Sequence, residues 1–121
     1  MQYKRESVIE EKSFQFALMT IQTVKKIQED KREYILSKQL MRSGTSIGAM
    51  VREAEHAESK KDFIHKMAIG LKEANETRYW LELLFKSEYI DHNNYEVLLD
   101  ESTQIVRLLA AIVKSSKTNL S

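Results

Sequence analysis

The sequence predicts an all-α fold, an antiparallel up-down-up-down four-helix bundle, and three observations carry that prediction. Apolar residues recur in steps of three and four along four successive segments, the period that lines side chains along one stripe of a helix. Proline is absent and glycine occurs only three times, so little interrupts long helices. No comparable stretch alternates with period two, as a half-buried strand would.

The first helix is expected over about 13–29, with Phe14, Ala17, Leu18, Ile21, Val24 and Gln28 on its core face. The fully charged run Glu29-Asp30-Lys31-Arg32 offers nothing to a core and ends it. A second helix, about 33–57, aligns Leu36, Leu40, Ser43, Ile47, Met50, Val51 and Ala54. Ser59 can cap a third through its hydroxyl, with Asp62 favouring the helix start. That helix, about 60–87, aligns Phe63, Ile64, Met67, Leu71, Ala74, Leu81 and Phe85. The polar cluster Asp91-His92-Asn93-Asn94 suits a turn or cap. Beyond it a fourth helix, about 93–115, aligns Tyr95, Leu98, Leu99, Ser102, Ile105, Val106, Leu109, Ile112 and Val113. Short connections make successive helices antiparallel neighbours. With no internal repeat or linker, residues 1–121 read as a single domain.

Composition narrows the function classes. The apolar fraction of 42% beside 31% charged residues is ordinary for a soluble helical protein. Cysteine is absent, which removes disulfides, thiolate metal sites and cysteine nucleophiles together and is compatible with a reducing cytoplasm. No apolar run approaches the roughly 18 residues that span a membrane, and Met1-Gln2-Tyr3-Lys4-Arg5-Glu6 lacks a signal-peptide hydrophobic segment. No membrane partner is expected. A net charge of +1 argues against strong RNA binding by one subunit alone, because phosphate contacts dominate such affinity.

Catalytic templates fit poorly. A di-metal carboxylate bundle needs Glu-x-x-His on two helices and a further Glu on each of the others. Glu53-Ala54-Glu55-His56 supplies one match, and Asp62-Phe63-Ile64-His65 is a near-match too close to a helix start. Ser43 and Ser46 lack the strand-to-helix elbow of a serine nucleophile. Gly44-Thr45-Ser46-Ile47-Gly48 lacks the Lys-Ser/Thr ending of a phosphate loop, and small residues at these spacings let a neighbouring helix approach closely. A metal-dependent enzyme is therefore the third reading. No catalytic residue, cofactor or metal is expected.

Other polar residues need a different account. Arg42, Ser46, Ala49, Glu53 and His56 form a stripe beside the core face of the second helix, while Ile69, Glu73, Glu76, Trp80 and Leu84 form one on the third. Arg78 falls inside the apolar stripe, where a guanidinium must be paired; Glu53 and Glu82 are the expected partners. Two readings remain. Trp80 and Ile69 lie at the bundle edge with solvated glutamates, or the second face meets another subunit and the protein is a homo-oligomer. Lys61, His65 and Lys72 share a face of the third helix, and Lys25, Lys26, Lys31 and Arg32 cluster near the first turn. Such runs are ordinary solvated surface, or, repeated around an oligomer, weak phosphate contacts made useful by multivalency. No aromatic–basic interleaving of the kind that binds single-stranded RNA is evident.

Together these residues carry a resemblance. Gln39-Leu40-x-Arg42-Ser43-Gly44-Thr45-Ser46-Ile47-Gly48-Ala49, Glu53-Ala54, Ser59-x-x-Asp62-Phe63 and Lys72-Glu73-Ala74-x-Glu76-Thr77-x-Tyr79-Trp80-Leu81, in that order, resemble the four-helix-bundle family of 23S rRNA intervening-sequence proteins. The resemblance covers the second and third helices. It implies a cytoplasmic bacterial bundle, commonly a homopentameric ring. A related branch, the accessory proteins of diversity-generating retroelements, uses a more basic ring to engage nucleic acid. The near-neutral charge here sits poorly with that role. Met50 and Ala54 stand where the family often has Asn and Gly, so a polar network centred on Met50 is in doubt. Arg42, Ser46, Glu53, Glu73 and Glu76 match motif positions and are assigned to structural pairing or subunit contacts. The expected protein is a non-catalytic, self-associating bundle that serves as a scaffold or adaptor for RNA or a ribonucleoprotein. The alternative is an oligomeric protein-interaction module without nucleic acid.

Overall fold

In a computed structural model, which describes residues 2–120 and the side chains of residues 7–119, the chain forms four α-helices. They are α1 (Gln2–Lys31), α2 (Leu36–Glu55), α3 (Lys60–Lys86) and α4 (His92–Leu120). Each helix packs on its two neighbours in the ring α1–α2–α3–α4–α1, and no diagonal pair touches among the described residues. This is the up-down-up-down bundle.

The core seams advance in alternating steps of three and four, the heptad rhythm of knobs-into-holes packing. On α2 the buried seam is Ser37, Leu40, Gly44, Ile47, Val51 and Ala54; on α3 it is Met67, Gly70, Ala74, Thr77, Leu81 and Leu84. On α4 it runs Leu98, Ser102, Ile105, Leu109, Ile112 and Ser116. Buried hydroxyls on every helix satisfy themselves locally. Thr20 Oγ1 donates to the Phe16 carbonyl (2.9 Å), and Thr77 Oγ1 lies 2.8 Å from the Glu73 carbonyl and 3.0 Å from Ser43 Oγ.

Helix α1 departs most from expectation. It runs from Gln2 to Lys31 rather than over about 13–29, so it takes in part of the charged run, and Ser13 lies inside it, its hydroxyl donating to the Glu10 carbonyl 3.2 Å away. The core face is also different. Ile9, Ser13, Phe16, Thr20, Val24 and Ile27 are buried, whereas Phe14 and Leu18 are 50% and 42% exposed. Polar Ser13 and Thr20 occupy the seam because α2 meets them with glycine. A Cβ added at Gly44 would lie 2.7 Å from Thr20 Cγ2, and one at Gly48 would lie 3.4 Å from the Ser13 carbonyl oxygen.

The helix ends have local causes. Helix α2 starts at Leu36 rather than 33, because the Glu33 carboxylate accepts the N–H groups of Ile35, Leu36 and Ser37 at 2.8–3.0 Å. Burial acts to raise the pKa of Glu33, but those N–H groups and the Ser37 side chain outweigh it and hold the carboxyl below the usual range. Ser59 caps α3 as expected, its Oγ accepting from Asp62 N at 3.0 Å, while Asp62 Oδ2 accepts from Glu58 N. Helix α3 closes in a Schellman arrangement: Tyr89 N donates to the Leu84 carbonyl and Glu88 N to that of Phe85, with Glu88 left-handed at φ 67°. Asp91 then accepts from Asn94 N to start α4 (2.8 Å), which continues past residue 115 to Leu120.

Candidate functional site

The second face predicted from sequence divides into separate groups. Arg42, on the outer side of α2, bridges to α3: its Nη1 lies 3.2 Å from Glu73 Oε1, and its Nη2 pairs with Glu76. Glu76 Oε2 also accepts from Trp80 Nε1 at 2.9 Å, and Gln39 Oε1 accepts from Arg42 Nε at 3.2 Å. The Ser46 hydroxyl donates back to the Arg42 carbonyl at 2.5 Å. Heptad geometry makes this bridge possible, because Arg42 flanks the α2 seam while Glu73, Glu76 and Trp80 flank the α3 seam on the side toward α2. The Arg42 side chain is 46% exposed, so each contact is a solvent-screened one, individually worth about 0–1 kcal/mol. Five side chains from two helices thus satisfy one another.

Glu53 stands apart from that network. Its Oε1 pairs with Lys66 Nζ at 3.0 Å, and the hydrogen bond and charge of Glu53 raise the Lys66 pKa. Ile69 is half-buried between the two groups. Leu84 is not part of a second face: it is fully buried in the core. The ridge from Ile69 through Glu73, Glu76 and Trp80 drifts toward the seam with each step of four, and Leu84 lies past the edge.

Arg78 lies on the other flank of α3, and neither expected partner reaches it. Glu53 is engaged by Lys66, and none of the four ion pairs among the described residues includes Arg78 or Glu82. Its Nε is buried without a hydrogen-bond partner. Beside it, Tyr95 stacks on Phe85 with ring centroids 4.2 Å apart. Burial first, then the charges of Glu82 and Glu96, raise the Tyr95 pKa, with Arg78 opposing them.

Lys61, His65 and Lys72 form an exposed outer stripe on α3, continued by Tyr79 at 56% exposure. None of the three makes an ion pair among the described residues. The exposed group that sequence reasoning missed is on α1: Phe14 and Leu18, with Ala17 and Ile21 half-buried beside them and the Arg52 guanidinium 6.0 Å from the centre of the Phe14 ring. Two apolar stripes on one helix were the available signal. Hydropathy favours the wrong one for the core, because the true seam contains Ser13 and Thr20.

Among the described residues no group of three His, Cys, Asp or Glu side chains is placed to hold a metal ion, and Glu53 of the Glu-x-x-His match is paired with Lys66. A half-open cleft of about 540 Å³ at one end of the bundle carries Lys26 and Lys31 beside Asp30, Glu88 and Asp91, so its charges offset. No helix is long and apolar enough to cross a membrane, among the described residues. Met50 packs with its Cβ 3.6 Å from where a Gly70 Cβ would be, and Ala54 is buried, so both side chains serve helix packing.

Comparison with known proteins follows the same lines. A family model described as 23S rRNA-intervening sequence protein matches residues 5–111. Among solved structures, a protein of unknown function from the S23 ribosomal protein family of Bacteroides thetaiotaomicron VPI-5482 is 49% identical in sequence. It superposes with a TM-score of 0.89, covering 91% of this chain and 98% of that one. No curated protein matches the chain.

Proposed function

The chain belongs to the 23S rRNA-intervening sequence protein family, and on that premise we propose that it is a non-catalytic, self-associating helical scaffold in the cytoplasm, an adaptor for RNA or a ribonucleoprotein. One observation carries the self-association. Phe14 and Leu18, on one face of α1, stand out into solvent on a helix whose opposite face already fills the core. Large apolar side chains gathered on one outer helix face mark an interaction surface, whereas single scattered ones do not. Light scattering at micromolar concentration is expected to give a mass that is a multiple of 14.2 kDa. A 14.2 kDa species alone overturns the scaffold.

The adaptor part rests on the outer basic residues of α3. Lys61, His65 and Lys72 are exposed and unpaired among the described residues, and an oligomer repeats them once per subunit. Several weak phosphate contacts then act together. Binding of structured RNA is expected to weaken linearly in log affinity as log salt rises, because each phosphate contact releases counterions. Undetectable binding at low salt leaves the protein-interaction module as the function.

A further inference from the structure

At the end of the bundle where α1 and α3 finish and α4 begins, the half-open cleft of about 540 Å³ lies between two walls. One is the last turns of α1, which present Thr23, Lys26, Ile27, Asp30 and Lys31. The other is the α3–α4 connection. Its left-handed Glu88 lets Tyr89 N return to the Leu84 carbonyl, and the next residue, Ile90, is buried like Ile27 and shares the cleft with it. Phe85 lines the same wall and is backed by Tyr95, stacked 4.2 Å from it, so this wall is held in place. The volume falls within the range of small-molecule sites, roughly 300–1,000 Å³.

The polar groups of the cleft are left without partners. Thr20, Thr45, Thr77, Thr103 and Thr118 each donate a hydroxyl to the carbonyl four residues earlier. That bond is the usual use of a helical threonine's hydroxyl. Thr23 does not make it: its side chain is half-buried and forms no hydrogen bond among the described residues, so it has a donor to offer the cleft. Lys26, Lys31, Asp30 and Glu88 are exposed, and none joins an ion pair among the described residues. Asp91 is engaged differently, its two carboxylate oxygens taken by Asn94 N at 2.8 Å and Asn94 Nδ2 at 3.2 Å. The two cations and two carboxylates that remain offset one another around an apolar floor. A ligand of one sign would meet repulsion as well as attraction there, and a polyanion gains nothing. A molecule carrying both charges and an apolar part is matched on every side. Thr23 and Lys26, three residues apart, are neighbours on the helix surface and present a hydroxyl and an ammonium together, a donor pair for a carboxylate. Glu88, on the other wall, is an acceptor for an ammonium.

We propose that this cleft binds a small zwitterion with an apolar side chain, a free aromatic or branched-chain α-amino acid. Its carboxylate rests on Thr23 and Lys26, its ammonium on Glu88, and its side chain over Ile27 and Ile90. The site shares no residue with Phe14 and Leu18, or with Lys61, His65 and Lys72, so it stands or falls apart from self-association and RNA binding.

Titration of the isotopically labelled full chain, followed through its amide resonances, tests the site with L-phenylalanine and L-leucine as probes. Both are expected to shift resonances of residues 23–27 and 88–94 and to bind with a dissociation constant of about 1 mM, as molecules of that size allow. L-Phenylalaninamide, which lacks the carboxylate, and N-acetyl-L-phenylalanine, which lacks the ammonium, are each expected to bind about tenfold more weakly. Thr23→Val keeps the shape and removes the hydroxyl. It is expected to weaken L-phenylalanine about tenfold and to leave the binding of L-phenylalaninamide unchanged. Glu88→Gln is expected to weaken L-phenylalanine by a similar factor and to leave N-acetyl-L-phenylalanine unchanged. Unmoved resonances elsewhere in the spectrum check that each variant is folded. Equal binding of the amino acid and its two derivatives means that only the apolar floor is recognised and overturns the proposal. Tighter binding of N-acetyl-L-phenylalanine than of L-phenylalanine makes the cleft an anion site and overturns it too. No shift at about ten times the expected dissociation constant removes the site altogether.

Discussion

The α1–α2 side of the bundle and the α2–α3 side are held by different means. Between α1 and α2 the backbones approach closely, with Gly44 against Thr20 and Gly48 against Ser13, while outside them Phe14 and Leu18 remain bare. Between α2 and α3 the seam carries the Thr77–Ser43 hydroxyl contact, and outside it Arg42, Glu73, Glu76 and Trp80 tie the helices together. Even the carboxylates differ. Glu73 and Glu76 meet a guanidinium, whereas Glu55 meets Glu10. One side completes itself across its own two helices. The other packs tightly inside and leaves Phe14 and Leu18 exposed outside it.

The strongest test of this contrast substitutes glycines. Gly44→Ala is expected to destabilise the fold by about 1–3 kcal/mol, because overpacking against a buried β-branched residue outweighs the gain in helix propensity. Thr20 cannot turn away without losing its bond to the Phe16 carbonyl. Gly70→Ala, on the α2–α3 side, would place its Cβ 3.6 Å from Met50 Cβ, an ordinary contact. It is expected to be neutral or stabilising by up to about 1 kcal/mol. Urea unfolding monitored by the single tryptophan separates the two. Equal costs at Gly44 and Gly70 would erase the distinction between the seams. Partial recovery of Gly44→Ala by Thr20→Ala would locate the clash.

The same contrast explains what was legible in the sequence. Helices α2 and α3 were readable because apolar seams and capping residues agree there: Ser59 and Asp62 mark the start of α3, and Leu40, Ile47 and Val51 mark the buried face of α2. The tight α1–α2 contact hid α1. Its seam spends two positions on Ser13 and Thr20, small enough to meet Gly44 and Gly48, so the more apolar stripe with Phe14 and Leu18 looked like the core. A hydropathy pattern reports which face of a helix is apolar; it does not report which of two apolar faces is taken by the same chain. The Arg42 network was foreshadowed by the motif spacing, but its partners were not, since which carboxylate a long side chain reaches depends on helix register. Arg78 shows the limit: Glu82 lies one turn away in sequence, yet no ion pair joins them.

A smaller effect is expected from opening the polar bridge. Arg42→Ala removes contacts to Glu73, Glu76 and Gln39, all partly exposed, and is expected to cost about 0.5–1 kcal/mol at low salt and less at high salt. Tryptophan emission should respond as well, because Glu76 bonds both Arg42 and Trp80 Nε1. A cost above about 3 kcal/mol, unaffected by salt, would mean that the network supports the core, as a desolvated pair does.

The smallest expected effect lies on the opposite side, where Glu55 meets Glu10. Burial first, then the hydrogen bond and like charge of Glu10, raise the Glu55 pKa, with His56 and Arg52 opposing. A carboxyl whose folded pKa lies above its unfolded value binds its proton more tightly in the fold, so stability falls as pH rises through that interval. Below the unfolded pKa both states are protonated and the penalty vanishes. Glu33 contributes the reverse slope, since its folded pKa is lowered and its contribution is lost only as pH falls through that lowered value. Glu55→Gln leaves the Glu33 contribution in place. Its melting temperature is therefore expected to exceed that of the wild type at pH 7 and to converge with it near pH 4. A variant that is less stable at pH 7 would show that Glu55 is held by an attraction, and that the α1–α2 side closes its own surface after all.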